Sequence, residues 1–436
     1  MMEELAMDLP AILARHVEEL VIPGAQLGVL RDGKATIACA GSADLELGSP
    51  IEPSTAFQIA SVTKPMNALV ATRLAARGAL EFRAALDRAI PELDGVGWAR
   101  EVVADDLLAN TGGVPMSVRT EFEFSADGDD ALTLLATELA QGVRAFPARS
   151  AWSYSNAAAC LLGRLIEVVT GDVYEEALRR ELFQPLGMTT TGFAHDQPPA
   201  HMATGYRDSE AGPPEPATPW ASRPLGPAGA SVWSNVGDLL RLARPLASAE
   251  EAFFDERWRR WLLDVRVELT IPPFMDAWGR SLSVFRWPGG PVWFWFGVCP
   301  GFRAYWMVVP TKNCALCLLV NGERGADLFR ALLPGVMAAL GVAVPPLDLT
   351  SPTRPHHDLA PYCGRYAWPD REILVALEPD GLELSGAIAG RLLPIDQRRF
   401  RWPAGDPDFP FVTFADFGED GRPHLLYHAI WAYPRA

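Results

Sequence analysis

Ala60-Ser61-Val62-Thr63-Lys64, followed by an Ala- and Leu-rich run from Met66 to Ala76, is the stretch that decides the fold. The run holds no helix breaker and predicts a helix. If Ser61 opens that helix, its side chain and that of Lys64 lie on one face and can meet. A serine hydroxyl needs an adjacent base to act as a nucleophile, and lysine can serve when its surroundings lower its pKa. The same spacing also fits an ordinary solvated helix.

A second motif strengthens the catalytic interpretation. Trp152-Ser153-Tyr154-Ser155-Asn156 precedes a helix predicted over Ala157 to Val169, which Thr170-Gly171 would end. Asn156 alone could be no more than a helix cap.

In order and spacing, these motifs resemble the penicillin-recognising serine hydrolases: class C β-lactamases, DD-peptidases, family VIII esterases and related acyltransferases. That family carries Ser-x-x-Lys, then Tyr-x-Asn, then a strand with Lys, His or Trp before x-Gly. Three further stretches resemble sequence motifs of the family, and the resemblance covers about residues 10–340. They are Leu107–Gly113 (with Asn110 where the family has His), Pro185–Met188 and Ala228–Ser231 followed by Asp238-Leu239.

The third motif departs from the commonest family pattern. Pro300-Gly301-Phe302 aligns Trp295 with the family's His or Lys, in the stretch Trp295-Phe296-Gly297. A buried aromatic strand is the plain alternative. In the family the cation at this position helps to hold a substrate carboxylate, whereas an indole offers a flat apolar wall and one N–H donor. Trp295, Phe296 and Gly297 are therefore predicted to bind a neutral acyl donor.

The resemblance implies a role for each motif residue. Ser61 would attack the acyl carbonyl, and Lys64 with Tyr154, its pKa lowered by nearby ammonium groups, would take the proton. Asn156 would bridge Lys64 and the substrate. The backbone N–H groups of Ser61 and Val298 would form the oxyanion hole. No metal and no cofactor is required.

The resemblance also implies an α+β architecture, the β-lactamase/transpeptidase-like fold, with an antiparallel sheet flanked by helices. We expect a catalytic domain over residues 1–345 with a helical subdomain at about 76–229. Pro-rich residues 346–357 predict a linker. Short apolar runs between turn signals predict a small antiparallel β domain over 358–436, which resembles the lipocalin-like β-barrels appended to some family members.

Several elements follow from local pattern alone. A hairpin turning at Asp32-Gly33 is the clearest, and six prolines within 207–228 predict a long surface loop. The other predicted elements are the helices Leu9–Leu20 and Ala326–Leu340, the hairpin strands Gln26–Leu30 and Ala35–Ala40, and the strands Val292–Phe296, Tyr305–Val309 and Ala315–Val320.

Charge and composition argue against some classes of binding partner and indicate a cellular compartment. A net charge of −16 and a pI near 4.9 argue against nucleic acid and anionic membrane. No secretory signal or spanning run is visible and the six cysteines are scattered, so we expect a cytoplasmic protein with free thiols. Cys314 and Cys317 are predicted to be core thiols and His356-His357-Asp358 a solvated loop, so no metal site is expected.

Three functions stay open at this point. The leading one is an esterase or biosynthetic transacylase acting on a small neutral ester-type acyl donor, with water, an amine or an alcohol as acceptor. The second is a D-amino-acid amidase or peptidase, or a β-lactamase. The third is an inactive binding or scaffold protein. The sequence does not determine the oligomeric state, the acyl donor or the role of the C-terminal domain.

Overall fold

The computed structural model describes most of the chain, and every structural statement below concerns that part. The described residues are 7–115, 126–209, 212–248, 253–271, 275–346, 358–404 and 410–436.

A nine-stranded antiparallel sheet, here called the main sheet, forms the centre of the molecule. The hairpin predicted around Asp32-Gly33 is confirmed, since Arg31 pairs with Lys34. Strands from the first fifty residues lie beside strands from residues 267–320. The sheet can therefore be completed only after most of the chain has been synthesised. In order across the sheet the strands are Ser49–Pro50, Lys34–Asp44, Gly24–Arg31, Cys314–Val320, Phe302–Val309, Gly290–Cys299, Ser283–Trp287, Met275–Trp278 and Val267–Ile271.

Helices cover both faces of the main sheet, which is why its central strands are buried and mostly apolar. Neighbouring residues of one strand show the two layers. The ring of Tyr305 stacks on Phe329 of helix Gly325–Ala339, at 4.3 Å between centroids. The indole N–H of Trp306 donates to the carbonyl of Leu239 in helix Val236–Ala247, at 2.9 Å.

The four helices predicted with explicit bounds agree with the structure to within three residues. The largest difference is Thr63–Ala76, hereafter the nucleophile helix, which begins three residues before the predicted Met66. Helix Asn156–Thr170 ends at Gly171, whose φ of +72° suits a glycine cap. The α-helices are Leu9–Glu19, Thr63–Ala76, Leu86–Ala89, Ala104–Ala109, Ala131–Ala140, Asn156–Thr170, Tyr174–Leu178, Gln184–Leu186, Val236–Ala247, Glu256–Leu262 and Gly325–Ala339.

Residues 207–228 are not wholly a surface loop, which corrects the prediction. Their last part, Leu225 to Ala228, is buried beneath the cavity described below. Short strands Tyr206–Arg207 and Glu215–Pro216 pair nearby, and Phe57–Gln58, Val232–Ser234 and Gly192–Phe193 form a small three-stranded sheet. Prolines favour irregular backbone but do not determine whether that backbone is exposed.

The C-terminal part forms a nearly closed antiparallel barrel of eight strands with its own aromatic core. A bridge between Tyr366 and Arg435 brings its first and last strands together. The strands are Gly364–Ala367, Glu372–Glu378, Gly381–Gly386, Gly390–Pro394, Arg399–Arg401, Phe411–Phe417, Pro423–His428 and Trp431–Pro434. The predicted fold class, with an antiparallel sheet, helices and a small C-terminal barrel, is confirmed.

The domain boundaries stay predictions. Apart from residue 346, the predicted linker 346–357 lies outside the described residues, as do His356 and His357. None of the helices in the described ranges has the length and apolarity needed to cross a bilayer.

Candidate active site

Ser61 lies in a single 3-10 turn, Ala60–Val62, that runs directly into the nucleophile helix. The Thr63 hydroxyl donates to the Ala60 carbonyl at 2.8 Å and fixes the turn. Ala60 has a φ of +44°, a left-handed conformation that costs energy for any residue with a side chain. The helix is buried on nearly every side, so the Ser61 hydroxyl is held by a rigid support.

Two side chains meet at the Ser61 hydroxyl. The Lys64 Nζ donates to Ser61 Oγ at 3.1 Å, and a 2.8 Å hydrogen bond joins the hydroxyls of Tyr154 and Ser61. The Lys64 ammonium position is 4.8 Å from the centre of the Tyr154 ring. Lys64 and Tyr154 are only 3% and 5% exposed. The structure therefore brings together the three residues that the motifs singled out, although their catalytic roles stay predictions.

A backbone carbonyl that the sequence analysis did not identify completes this cluster. The Ala228 carbonyl accepts from Lys64 Nζ at 2.7 Å and lies 3.5 Å from Ser61 Oγ. Asn67, one turn after Lys64, donates to the neighbouring Pro227 carbonyl at 2.7 Å and accepts from the Tyr174 hydroxyl at 2.6 Å. The Ala228–Ser231 motif and the spacing of Asn67 from Lys64 were the available signals.

Strand Gly290–Cys299, hereafter the motif strand, forms the opposite side of the site. A Cβ on Gly297 would lie 2.0 Å from the Ile59 carbonyl, so only glycine lets this strand lie against the Ser61 turn. Trp295 is 1% exposed, and its ring centre is 5.2 Å from that of Tyr154. Its indole N–H is buried and has no hydrogen-bond partner within the described residues. Trp295 is thus an apolar support for the phenol.

A cavity of about 270 Å³ opens above Ser61. Of the predicted site residues, Ser61, Tyr154, Asn156, Trp295, Phe296 and Val298 line it, whereas Lys64 and Gly297 lie behind the lining. The remaining lining residues are Trp220, Ala221, Ser222, Leu225, Ala228, Ala230, Ile430 and Trp431. None of these described lining residues is an Asp, Glu, Lys, Arg or His, so the cavity suits neutral groups.

Among the described residues, no ionised thiol competes with the site serine. Burial raises the pKa of the nearby Cys299 thiol to about 12, so it stays protonated at neutral pH. Cys314 and Cys317 are also buried thiols with raised pKa values, in line with the prediction that they belong to the core. The part of the chain that the structure describes contains no cluster of His, Cys, Asp and Glu able to hold a metal ion.

Similarity to known proteins agrees with this geometry. Penicillin-binding protein 4 of Amycolatopsis lactamdurans is 28% identical over 367 residues, which cover 79% of this chain and 93% of that protein. Esterase EstB of Burkholderia gladioli is 35% identical over 227 residues, 49% of this chain and 56% of the esterase. The crystal structure of SurE matches 98% of both chains with a TM-score of 0.82 and 26% identity.

The comparison with family models covers the larger part of the chain. The model of the beta-lactamase family, whose members are serine hydrolases and acyl transferases, matches residues 9–340. That range contains the Ser61 turn, Tyr154 and the motif strand, and it ends before the C-terminal barrel begins. The resemblance inferred from the motifs is confirmed: this chain belongs to the beta-lactamase family.

Proposed function

We propose that this protein is a serine acyl-transfer enzyme that acts as an esterase or biosynthetic transacylase on a small neutral ester-type acyl donor. One observation carries the proposal. The Ser61 hydroxyl contacts both the Lys64 amine and the Tyr154 hydroxyl at the floor of an uncharged cavity. A serine hydroxyl held beside an amine that can act as its base is the arrangement that nucleophilic catalysis needs.

Acylation begins when Ser61 Oγ attacks the acyl carbonyl. Its proton passes to the Tyr154–Lys64 pair, which requires the Lys64 amine to be uncharged at that moment, and burial disfavours the charged form. The backbone N–H groups of Ser61 and Val298 stabilise the oxyanion. When the intermediate collapses, the bond to the leaving alcohol or thiol breaks, and that group takes the proton from the pair.

Deacylation repeats these steps with a second acceptor. Water, an alcohol or an amine loses a proton to Tyr154 and Lys64 and attacks the acyl carbonyl. Ser61 Oγ then leaves and recovers its proton. The aromatic walls at Trp220 and Trp295 favour an acceptor with apolar surface over bulk water, which supports the transacylase alternative.

The proposed preference for a neutral acyl donor rests on Trp295 and on the absence of charged side chains among the described lining residues. A carboxylate placed beside Trp295 would lose its hydration without gaining a cation, which is costly. The similarity to esterase EstB supports an ester as the acyl donor.

A D-amino-acid amidase or peptidase is the second candidate. SurE, which resembles this chain over 98% of both lengths, has also been solved with D-Leu. The scissile amide of a D-aminoacyl amide is neutral, but its α-ammonium would find no acidic side chain among the described lining residues, which ranks this candidate second. An inactive scaffold is the third candidate, and the intact contacts of Ser61 argue against it.

Intact-mass detection of an acyl-enzyme tests the proposal. The protein is incubated with an ester, a thioester and an amide of the same acyl group, beside Ser61→Ala and the exposed control Ser248→Ala. We expect one acyl mass increment with the ester or thioester, lost in Ser61→Ala and kept in Ser248→Ala. An increment that survives Ser61→Ala, or no increment with any donor, would contradict the proposal.

Turnover of three chromogenic substrates separates the candidates. We expect p-nitrophenyl esters to be turned over faster than a chromogenic cephalosporin or D-aminoacyl anilides. Faster turnover of the D-aminoacyl compounds would favour the amidase alternative. Adding an amine or alcohol acceptor and measuring the ratio of transfer product to free acid distinguishes a transacylase from an esterase.

A further inference from the structure

The C-terminal barrel contributes to the cavity above Ser61. Ile430 and Trp431 line it together with Ser61 and Tyr154, whereas every other lining residue lies before residue 299. The cavity is therefore bounded by two parts of the chain that are far apart in sequence. Without the barrel, the side next to Tyr154 would be open to solvent.

These two residues come from what we call the C-terminal hairpin, strands Pro423–His428 and Trp431–Pro434. His428 pairs with Trp431, which leaves Ala429-Ile430 as a two-residue turn. Two-residue turns with a positive φ at the first central residue favour Gly there. Here Ala429 adopts a φ of +53° and both turn residues are 3% exposed. An apolar, buried and strained turn is typical of a functional contact.

Another hairpin of the same barrel provides a contrast. Glu378 pairs with Gly381, so Pro379-Asp380 is also a two-residue turn, but it is exposed. Burial is therefore a feature of the C-terminal hairpin and not a general property of turns in this barrel.

The C-terminal hairpin also holds the segment that carries Tyr154. The Tyr154 amide donates to the Ile430 carbonyl at 3.0 Å. The Ala432 amide donates to the Ser153 hydroxyl at 3.1 Å, and the Tyr427 hydroxyl donates to the Trp152 carbonyl at 2.9 Å. Residues 151–155 belong to no helix or strand, so these bonds take the place of a regular ladder.

We propose that the C-terminal hairpin is part of the active site: it positions Tyr154, and Ile430 with Trp431 forms the wall that selects a neutral, apolar acyl group. The inference rests on the proposed function, because it takes Ser61 as the acylated group. It adds specificity-determining residues from outside the matched range 9–340.

The chemistry of the wall defines what it accepts. The Trp431 ring meets the Tyr154 ring edge-on, with centroids 6.4 Å apart. Ile430 adds a branched aliphatic surface, and neither side chain offers a charge. An alkyl or aryl group replaces water here favourably, whereas a carboxylate or ammonium on the acyl chain would stay unpaired. Shortening Ile430 should lengthen the space available to the acyl chain.

A series of alkyl fluorophosphonates tests the wall, because these probes phosphonylate an activated serine whatever its natural substrate. Labelling rates at Ser61 are measured by intact mass for ethyl to octyl probes. They are compared between the wild type, Ile430→Ala and the exposed barrel variant Leu377→Ala. We expect Ile430→Ala to raise the octyl-to-ethyl rate ratio about tenfold or more, the range that methylene groups are worth in an apolar pocket. An unchanged ratio in folded Ile430→Ala would overturn the assignment of the wall.

Ser153→Ala tests the positioning role, with exposed Ser385→Ala in the barrel as control. We expect kcat for the best ester to fall about tenfold or more while KM changes less than about twofold, because a displaced Tyr154 impairs the chemical step and not binding. Thermal unfolding of each variant shows that the protein is folded. Unchanged kcat, or a parallel change in KM, would overturn the positioning role.

The two proposals can fail separately. A wild type that labels at Ser61, with Ile430→Ala and Ser153→Ala both indistinguishable from it, would overturn only the role of the C-terminal hairpin. A folded wild type that no fluorophosphonate labels at Ser61 would overturn the proposed function, and this inference with it.

Discussion

The Ser61 hydroxyl is shared between an amine and a phenol, and the phenol is the shorter contact. Tyr154→Phe would keep the ring against Trp295 and remove only the hydroxyl. We expect the acylation rate to fall about 100- to 10,000-fold, the range for losing a positioned proton acceptor. Single-turnover kinetics with an ester measures this loss, and Tyr433→Phe in the barrel is the control. Acylation at the wild-type rate would exclude Tyr154 from proton transfer.

Gly297 is the residue that lets the motif strand approach the Ser61 turn. Gly297→Ala would place a methyl group 2.0 Å from the Ile59 carbonyl, so the strand or the turn must move. We expect a loss of activity of about 100-fold or more, because displacements near 1 Å are costly in catalysis. In Gly97→Ala the added methyl group would meet no atom within 4 Å, and its activity should be unchanged. Equal activities for the two variants would contradict this account.

Cys299 gives a prediction that depends on pH. With its pKa raised to about 12, the thiolate fraction at pH 8 is about one in ten thousand. Iodoacetamide should therefore leave Cys299 unmodified in the native protein and alkylate it in the unfolded one. Peptide mapping after each treatment measures this, and rapid native alkylation with loss of esterase activity would show that the thiol is accessible and ionised.

At this scale the sequence identified the side chains that meet at Ser61 but not the backbone group beside them. Ser61 and Lys64 were identifiable from their spacing on one helix, and Tyr154 from the order of the motifs that resemble the family. The Ala228 carbonyl was not, because any residue has a carbonyl and only the fold decides which one faces Lys64.

At the scale of one element, the nucleophile helix shows how much of a helix its sequence pattern predicts. Its apolar run predicted the helix, but Pro65 concealed the beginning at Thr63. Proline is tolerated in the first turn of a helix, where its missing N–H would have had no partner. The central strands of the main sheet were predictable because they are buried on both faces and so are mostly apolar, whereas the outer strands Val267–Ile271 and Met275–Trp278 were not predicted.

The C-terminal hairpin was predictable as a β element and not as a part of the active site. Nothing in Ala429-Ile430 distinguishes it from a poor turn sequence, because the contact with Tyr154 spans 276 residues of chain. A hairpin that contacts the cavity should respond to what fills the cavity. We expect amide hydrogen exchange over 426–433 to slow when Ser61 carries an octyl phosphonate, while exchange at the distant strand Glu372–Glu378 stays the same. Equal changes in exchange over 426–433 and over Glu372–Glu378, or no change in either segment, would argue against this coupling.

At the scale of the whole molecule, the main sheet and the C-terminal barrel share one hydrophobic core. The main core includes Leu425, Tyr427, Ile430 and Ala432 of the barrel, while the barrel interior around Phe400 forms a separate core. Because the shared core would be exposed if either part unfolded alone, we expect a single calorimetric transition that coincides with loss of Ser61 labelling by a fluorophosphonate. Two resolved transitions, with labelling surviving the first, would show that the barrel is dispensable.

The burial of Lys64 has a practical consequence. The chain has 38 basic residues but only three lysines, and the other two, Lys34 and Lys312, are exposed. Isotopic labelling of the lysine ε-carbon would therefore give a three-line spectrum in which the outlying resonance comes from the site itself. A 47.5 kDa protein thus carries a native spectroscopic reporter beside its nucleophile, and that reporter would follow the protonation of the amine through every stage of turnover.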